Sequence, residues 1–292
     1  MIQASKNATS ATFSSSVGPS LSSPSVFAMI QGFAQLAMYT APARIAEAST
    51  AWMTRTCQLL GVEQGLDADL ELARSWLSPH LLLAQTCGYP LMTRLRGQVR
   101  LVGRPVYALP NSADGDHCSL LVVRTDDPRK DLAGFFGSVG LINGLDSNSG
   151  MNLLRHALAP WQQGGRFFSR AIITGGHRQS LRGLQEKTGD LAAIDSVTYD
   201  YLARDGSDEL AGLRILARSA SSPCLPYITS RHTPAAEAAQ IRLAMNQALT
   251  ELPDVATTLA ISQVLAASEE DYQRIVDIEQ QAADAGLPTL LS

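Results

Sequence analysis

Residues 144–158 read GLDSNSGMNLLRHAL, and the architecture of the chain turns on them. Small polar residues lead into an apolar run at helical spacing, so the first N–H groups of that helix lack an intrahelical acceptor and need another. The preceding SVGLIN, residues 138–143, has the character of a strand. A strand that passes through a short polar turn into a helix is the repeating unit of an α/β sheet.

Two further junctions of the same kind follow. FFSRAIIT (167–174) leads through Gly175 and Gly176 into HRQSLRGLQEKTG, and LAAID (191–195) leads into SVTYDYLARDG. Upstream, FAQLAMY (33–39) precedes a helix in which Ile45, Ala48, Trp52 and Leu59 recur at helical spacing and Gly61 supplies a stop. A second helix, DADLELARSWL (67–77), is followed by a buried strand LLLAQT (81–86) that breaks at Cys87-Gly88-Tyr89-Pro90. SLLVVRT (119–125) enters the region of the three junctions and LRILARS (213–219) returns from it. Two helices, over 234–249 and 268–286, complete the chain. The alternation predicts an α/β fold with largely parallel sheets. We expect a disordered Ser-rich tail over 1–25, a discontinuous first lobe over 26–118 and 222–292, and a second lobe inserted over 119–221.

Composition narrows the function classes. At 292 residues the chain is long enough for two cores, and 45% hydrophobic with 17% charged residues is a globular composition. A net charge of -4 provides no global positive field for nucleic acid or an anionic membrane. The basic RLRGQVRLVGR (94–104) spaces its arginines as a strand with one solvated face does. The apolar run over 25–39 is interrupted by Gln31 and Gln35 and is too short to span a bilayer, so no membrane insertion is expected. Residues 1–25 lack the basic start and apolar segment of a secretory signal, which gives a cytoplasmic expectation for a complete chain and a periplasmic one for a piece of a longer chain. Cys57, Cys87, Cys118 and Cys224 are scattered, without CxxC or zinc-type spacing.

In open α/β sheets ligands gather where strand carboxyl ends meet helix amino ends. That rule nominates Tyr39 and Tyr89 from the first lobe. From the second it nominates Ser147, Asn148, Ser149, Thr174, His177 and Asp195. A helix amino end combines partial positive charge with free donors, so DSNSG and TGGH could together hold a tetrahedral oxyanion. Each has a plainer reading: Asp146 or Ser147 as a turn cap, His177 as a surface residue, Asp195 as a helix cap. Ser149, His177 and Asp195 form a nucleophilic set on paper, but Ser149 lacks the GxSxG elbow that exposes a nucleophile. There is no GxxxxGK[ST], no GxGxxG after the first strand, no HExxH and no close His/Asp/Glu grouping, so neither cofactor nor metal is expected.

These segments resemble the phosphate/phosphite/phosphonate-binding proteins of ABC importers. The resemblance is carried by LLLAQTCGYPL, GLDSNSGMNLLRHAL, IITGGHRQSLRGLQEKTGDLAAIDSVTYDYL and, more loosely, LRILARSASSPCLPYITS. It implies the two-lobed type II periplasmic-binding-protein fold and a noncatalytic solute-binding role toward phosphonate, phosphite or phosphate, with an ABC permease as possible partner. By motif, Ser147, Asn148 and Ser149 fall on the anion loop and His177 on the family's histidine. Asp195 falls on its acidic position, and Tyr89 and Tyr39 on its cleft tyrosines. Asn148 stands where the family has a hydroxyl residue, which keeps a donor and changes its reach. Asp195 is expected to accept from a protonated ligand oxygen or an aminoalkyl substituent. The competing expectations are an enzyme on the same fold, with His177 and Asp195 in acid/base roles, and a sensor whose closure a protein partner reads.

Overall fold

The computed structural model describes residues 32–62 and 72–291. The expected tail over 1–25 and the start of the second helix over 67–71 lie outside the described residues.

Five strands form the first sheet, in the order Phe33–Gln35, Leu81–Gln85, Tyr227–Ser230, Val99–Tyr107, Ile261–Leu265. Strand alternation sends Tyr227 to one face and Ile228 to the other. On the first face, Tyr227 packs with Ile45 and Trp52 of the helix Ala43–Leu59 and with Ile241 and Met245 of the helix Ala235–Glu251. Trp52 is wholly enclosed there, and its indole N–H donates to the Met245 carbonyl at 2.9 Å. On the opposite face, Ile228 and Leu81 meet Leu91, Tyr272 and Ile275. The sheet is therefore covered by helices on both sides, which explains its nearly continuous apolar strands.

The second sheet has the order Leu213–Arg218, Ser119–Arg124, Leu191–Asp195, Val139–Ile142, Arg170–Ile173. Leu120 and Val122 face the helix His177–Gln185 through Leu181 and Leu184, while Leu121 and Val123 face Leu154 and Phe167. The expectation of largely parallel sheets is corrected. Only the last three strands of this sheet run parallel, and Ser119–Arg124 and Leu213–Arg218 are antiparallel to their neighbours. These two strands carry the chain into and out of the second lobe, so they must run in opposite directions. Where they cross, a small sheet pairs His117 with both Ser112 and Ser222.

Each lobe lends a segment to the other. Val197 and Tyr201, from the helix Ser196–Arg204, sit in the first-lobe cluster beside Trp52 and Tyr227. Ala282, Leu287 and Leu290 are buried with Leu154 and Phe167 of the second lobe. The stretch after residue 221, expected in the first lobe, is thus shared, because the stripe of the helix Gln273–Asp284 continues past Ile275 to Ala282. Among the described residues, no helix is long and apolar enough to cross a membrane.

Candidate functional site

A cavity of about 550 Å³ opens between the lobes at the carboxyl ends of the second sheet's parallel strands. Its second-lobe wall begins at Asn143, immediately after the strand Val139–Ile142. Ser147 then caps the following helix, its Oγ accepting from the Gly150 N–H at 3.0 Å. The first turn, Asn148–Asn152, is π-helical, and the α-helix Leu153–Leu158 follows. Such widened turns are rare and concentrate at functional sites. Here a Cβ at position 150 would overlap the Asn143 amide, so any larger residue must displace that side chain or the turn.

The turn brings Ser149 Oγ to 3.0 Å from His177 Nε2, with Asn143 Nδ2 on the same nitrogen at 3.3 Å. His177 opens the helix His177–Gln185, and Gly175, at φ +90°, turns the chain from strand to helix. First-turn N–H groups of a helix lack intrahelical acceptors, and Gly176, His177, Arg178 and Gln179 of this turn line the cavity. Burial pulls the His177 imidazole below its ordinary range, and neighbouring Asp195 only partly opposes this. The ring is therefore uncharged at neutral pH.

Asp195 ends the strand Leu191–Asp195 and caps the helix Ser196–Arg204. Its Oδ1 accepts from Val197 N at 2.9 Å, from Thr198 N at 3.1 Å and, across the cleft, from the Tyr39 hydroxyl at 3.2 Å. Its Oδ2 lies 3.1 Å from His117 Nδ1. Burial would raise this carboxyl, but the His117 imidazole outweighs it and holds the acid at about 2. Ser149 and His177 meet as a serine–histidine pair, but Asp195 pairs with His117, so the triad drawn from sequence is not assembled.

Of the eight nominated residues, Tyr39, Ser147, Ser149, His177 and Asp195 line the cavity together. The other three lie outside its lining. Tyr89 sits in a short helix, Gly88–Thr93, one position and about 100° from cavity-lining Pro90. Its hydroxyl donates to Glu279 at 2.6 Å, and burial followed by that carboxylate pushes its pKa up to about 12. Asn148 turns its amide onto Ser222 Oγ at 2.8 Å, bracing the interlobe crossing. The Thr174 hydroxyl is held by Ile142 O, Gly176 O and Ser180 Oγ, which fixes the glycine turn.

Three features escaped the sequence. His117 lies in a two-residue strand too short to show periodicity. Asn143 is the last residue of SVGLIN, where the strand-end rule could have found it. Arg94 reaches from the first lobe to Asp146 at 2.6 Å, a pairing 52 residues apart in sequence that no local pattern announces. Among the described residues, no group of three or more His, Cys, Asp or Glu could hold a metal ion.

The family model described as ABC transporter, phosphonate, periplasmic substrate-binding protein matches residues 80–272. Among solved structures, a binding protein component of an ABC phosphonate transporter from Pseudomonas aeruginosa superposes with a TM-score of 0.71 at 16% identity, over 87% of this chain and 88% of that one. PhnD1 from Prochlorococcus marinus, in complex with methylphosphonate, gives 0.66 at 11% identity, over 85% and 96%. A Xanthomonas citri protein bound to ATP gives 0.60 at 14% identity, over 87% and 98%. At these identities the likeness shows the fold, the two-lobed type II periplasmic-binding-protein architecture. A comparison with curated proteins finds no match.

Proposed function

The chain belongs to the family of periplasmic substrate-binding proteins of phosphonate ABC transporters, and on that premise we propose that its cleft captures a small phosphorus oxyanion or organophosphonate for delivery to a permease. The observation that carries this reading is the meeting of Ser149 Oγ and His177 Nε2 at 3.0 Å, between two helix amino ends and opposite Tyr39. Serine hydroxyls and backbone N–H groups at helix amino ends suit a tetrahedral oxyanion, and His177 Nε2, which accepts from Asn143 Nδ2 in the free protein, becomes a donor to the anion on taking up a proton. In this proposal Ser147, Ser149 and His177 hold the head. Tyr39 covers it from the first lobe, held edge-on against Tyr201 and donating to Asp195. A ligand that contacts both walls binds the closed form more tightly and shifts the population toward it.

The role proposed for Asp195 differs from direct ligand recognition. Its carboxylate already meets three donors and an imidazole, so it organises the cleft and presents Tyr39 and the helix start. A binding role without catalysis accords with the pairing of Asp195 to His117, which leaves His177 without a carboxylate partner.

Calorimetry and thermal shift with phosphate, phosphite, methylphosphonate, 2-aminoethylphosphonate and sulfate test this reading. Stabilisation of about 2.7 kcal/mol is expected when a binding ligand stands a hundredfold above its dissociation constant. Silence toward all the phosphorus compounds would dismiss the assignment.

A further inference from the structure

The cavity is larger than a phosphorus oxyanion, and its first-lobe wall is chemically unlike the head site. Met38, Leu72 and Ala73 are half-buried apolar residues that pack on the first-lobe core, and all three line the cavity. Trp76, Pro90 and Leu225 continue this wall. Trp76 has its indole N–H turned away onto the Gln85 carbonyl at 3.2 Å, so the ring offers the cavity apolar surface.

The formal charges around the same cavity are already matched. Arg94 holds Asp146, Arg178 holds Glu209 through three hydrogen bonds of 3.1, 2.8 and 2.7 Å, and Asp195 is engaged by His117 and its three donors. Among the described lining residues, an ammonium group entering with the ligand would find only the buried, engaged Asp195 and, at the exposed mouth away from the apolar wall, Asp146 paired with Arg94. Against the apolar wall of Met38, Leu72 and Ala73 it would lose hydration without a partner.

We infer that the cleft selects a phosphoryl head bearing an uncharged apolar or aromatic tail, the tail lying against Met38, Leu72, Ala73 and Trp76, and that aminoalkyl tails are disfavoured. This rests on the reading of the head site given above and specifies the substituent that accompanies the head. The same chemistry occurs in a phosphonate, with a carbon–phosphorus bond, and in a phosphate monoester. Removing an aromatic ring from water on the first-lobe wall adds binding that a methyl substituent cannot supply.

Calorimetry on the full chain with methylphosphonate, 2-aminoethylphosphonate, phenylphosphonate and phenyl phosphate tests the inference. Phenylphosphonate or phenyl phosphate should bind at least tenfold more tightly than methylphosphonate, with the stronger of the two identifying the head. 2-Aminoethylphosphonate should bind no more tightly than methylphosphonate. In Leu72→Gln and Met38→Gln, the preference for phenyl over methyl should fall at least fivefold, a ratio that general misfolding leaves unchanged. Methylphosphonate binding with no gain from either phenyl compound would overturn the tail site and leave the head site standing, as would 2-aminoethylphosphonate binding most tightly. Failure of all four would remove both.

Discussion

Asp195 Oδ2 stands 3.1 Å from His117 Nδ1, with both side chains almost wholly buried at the crossing between the lobes. The pair is structural chemistry at the floor of a binding cleft, and its consequences appear in stability before they appear in binding. Because the folded carboxyl is depressed to about 2 from an ordinary 3.8, its contribution is fully present above pH 4 and is lost as pH falls toward 2. The depression corresponds to about 2 kcal/mol. Asp195→Asn keeps the helix cap and the acceptor for Tyr39 and removes the charge. Urea titrations between pH 5 and pH 2 should therefore show a shallower acid slope in Asp195→Asn than in the natural protein; equal slopes would refute the linkage.

Removing the other partner has the opposite signature. His117→Ala leaves a buried carboxylate without its imidazole, which typically costs about 3–5 kcal/mol at neutral pH. Burial, which raises the carboxyl, then meets less opposition, so its folded pKa lies above that of the natural protein. Acidification would relieve the strain, so His117→Ala should regain stability relative to the natural protein as pH falls from 7 toward 2. Guanidinium midpoints across that range measure the difference.

The uncharged state of His177 yields a proton signature on binding. Burial lowers its pKa in the free protein, and an anion placed beside Nε2 would raise it again. Between the two values, binding takes up a proton and affinity rises as pH falls. Calorimetry with methylphosphonate at pH 6, in buffers of different ionisation enthalpy, should show more proton uptake in the natural protein than in His177→Gln. Ser149→Ala and His177→Gln should each weaken binding by about tenfold or more, the scale of a charge-assisted hydrogen bond.

How much of this was legible in the sequence depended on whether the controlling interaction was local. The three strand-to-helix junctions of the second lobe could be read from alternation and glycine placement, and they brought Ser147, Ser149, His177 and Asp195 to one place. Tyr89 went astray because residues 88–93 coil into a helix, and a helical neighbour of a cavity residue faces elsewhere. Asn148 went astray because its amide answers Ser222, 74 residues away. The commitment of Asp195 to His117 is likewise a product of the crossing strands, invisible until two short strands pair.

The widened first turn carries a steric prediction. Gly150 sits against the Asn143 side chain, and that amide reaches His177. Gly150→Ala must displace Asn143 or the turn, at a cost of about 1–3 kcal/mol. The cost should be smaller in an Asn143→Ala background, because the clashing atoms belong to that side chain. A double-mutant cycle in thermal stability reads the coupling, and purely additive effects would argue against the contact.

The pair Arg94–Asp146 crosses the mouth of the cleft, with side chains 53% and 59% exposed. An ion pair so open to solvent contributes little to folding, and salt screens it. Its place between the lobes gives it a different role, since it can form only when they are close. Arg94→Ala should leave the melting temperature of the ligand-free protein within about a degree of the natural value. The same change should weaken phosphonate affinity by no more than roughly fivefold at low salt, because closure loses one screened contact while the head site is intact. In roughly half-molar salt the two proteins should bind alike, since the Debye length there is shorter than the reach of the unpaired charges. A large loss of affinity that persists in high salt would instead place Arg94 in direct contact with the ligand.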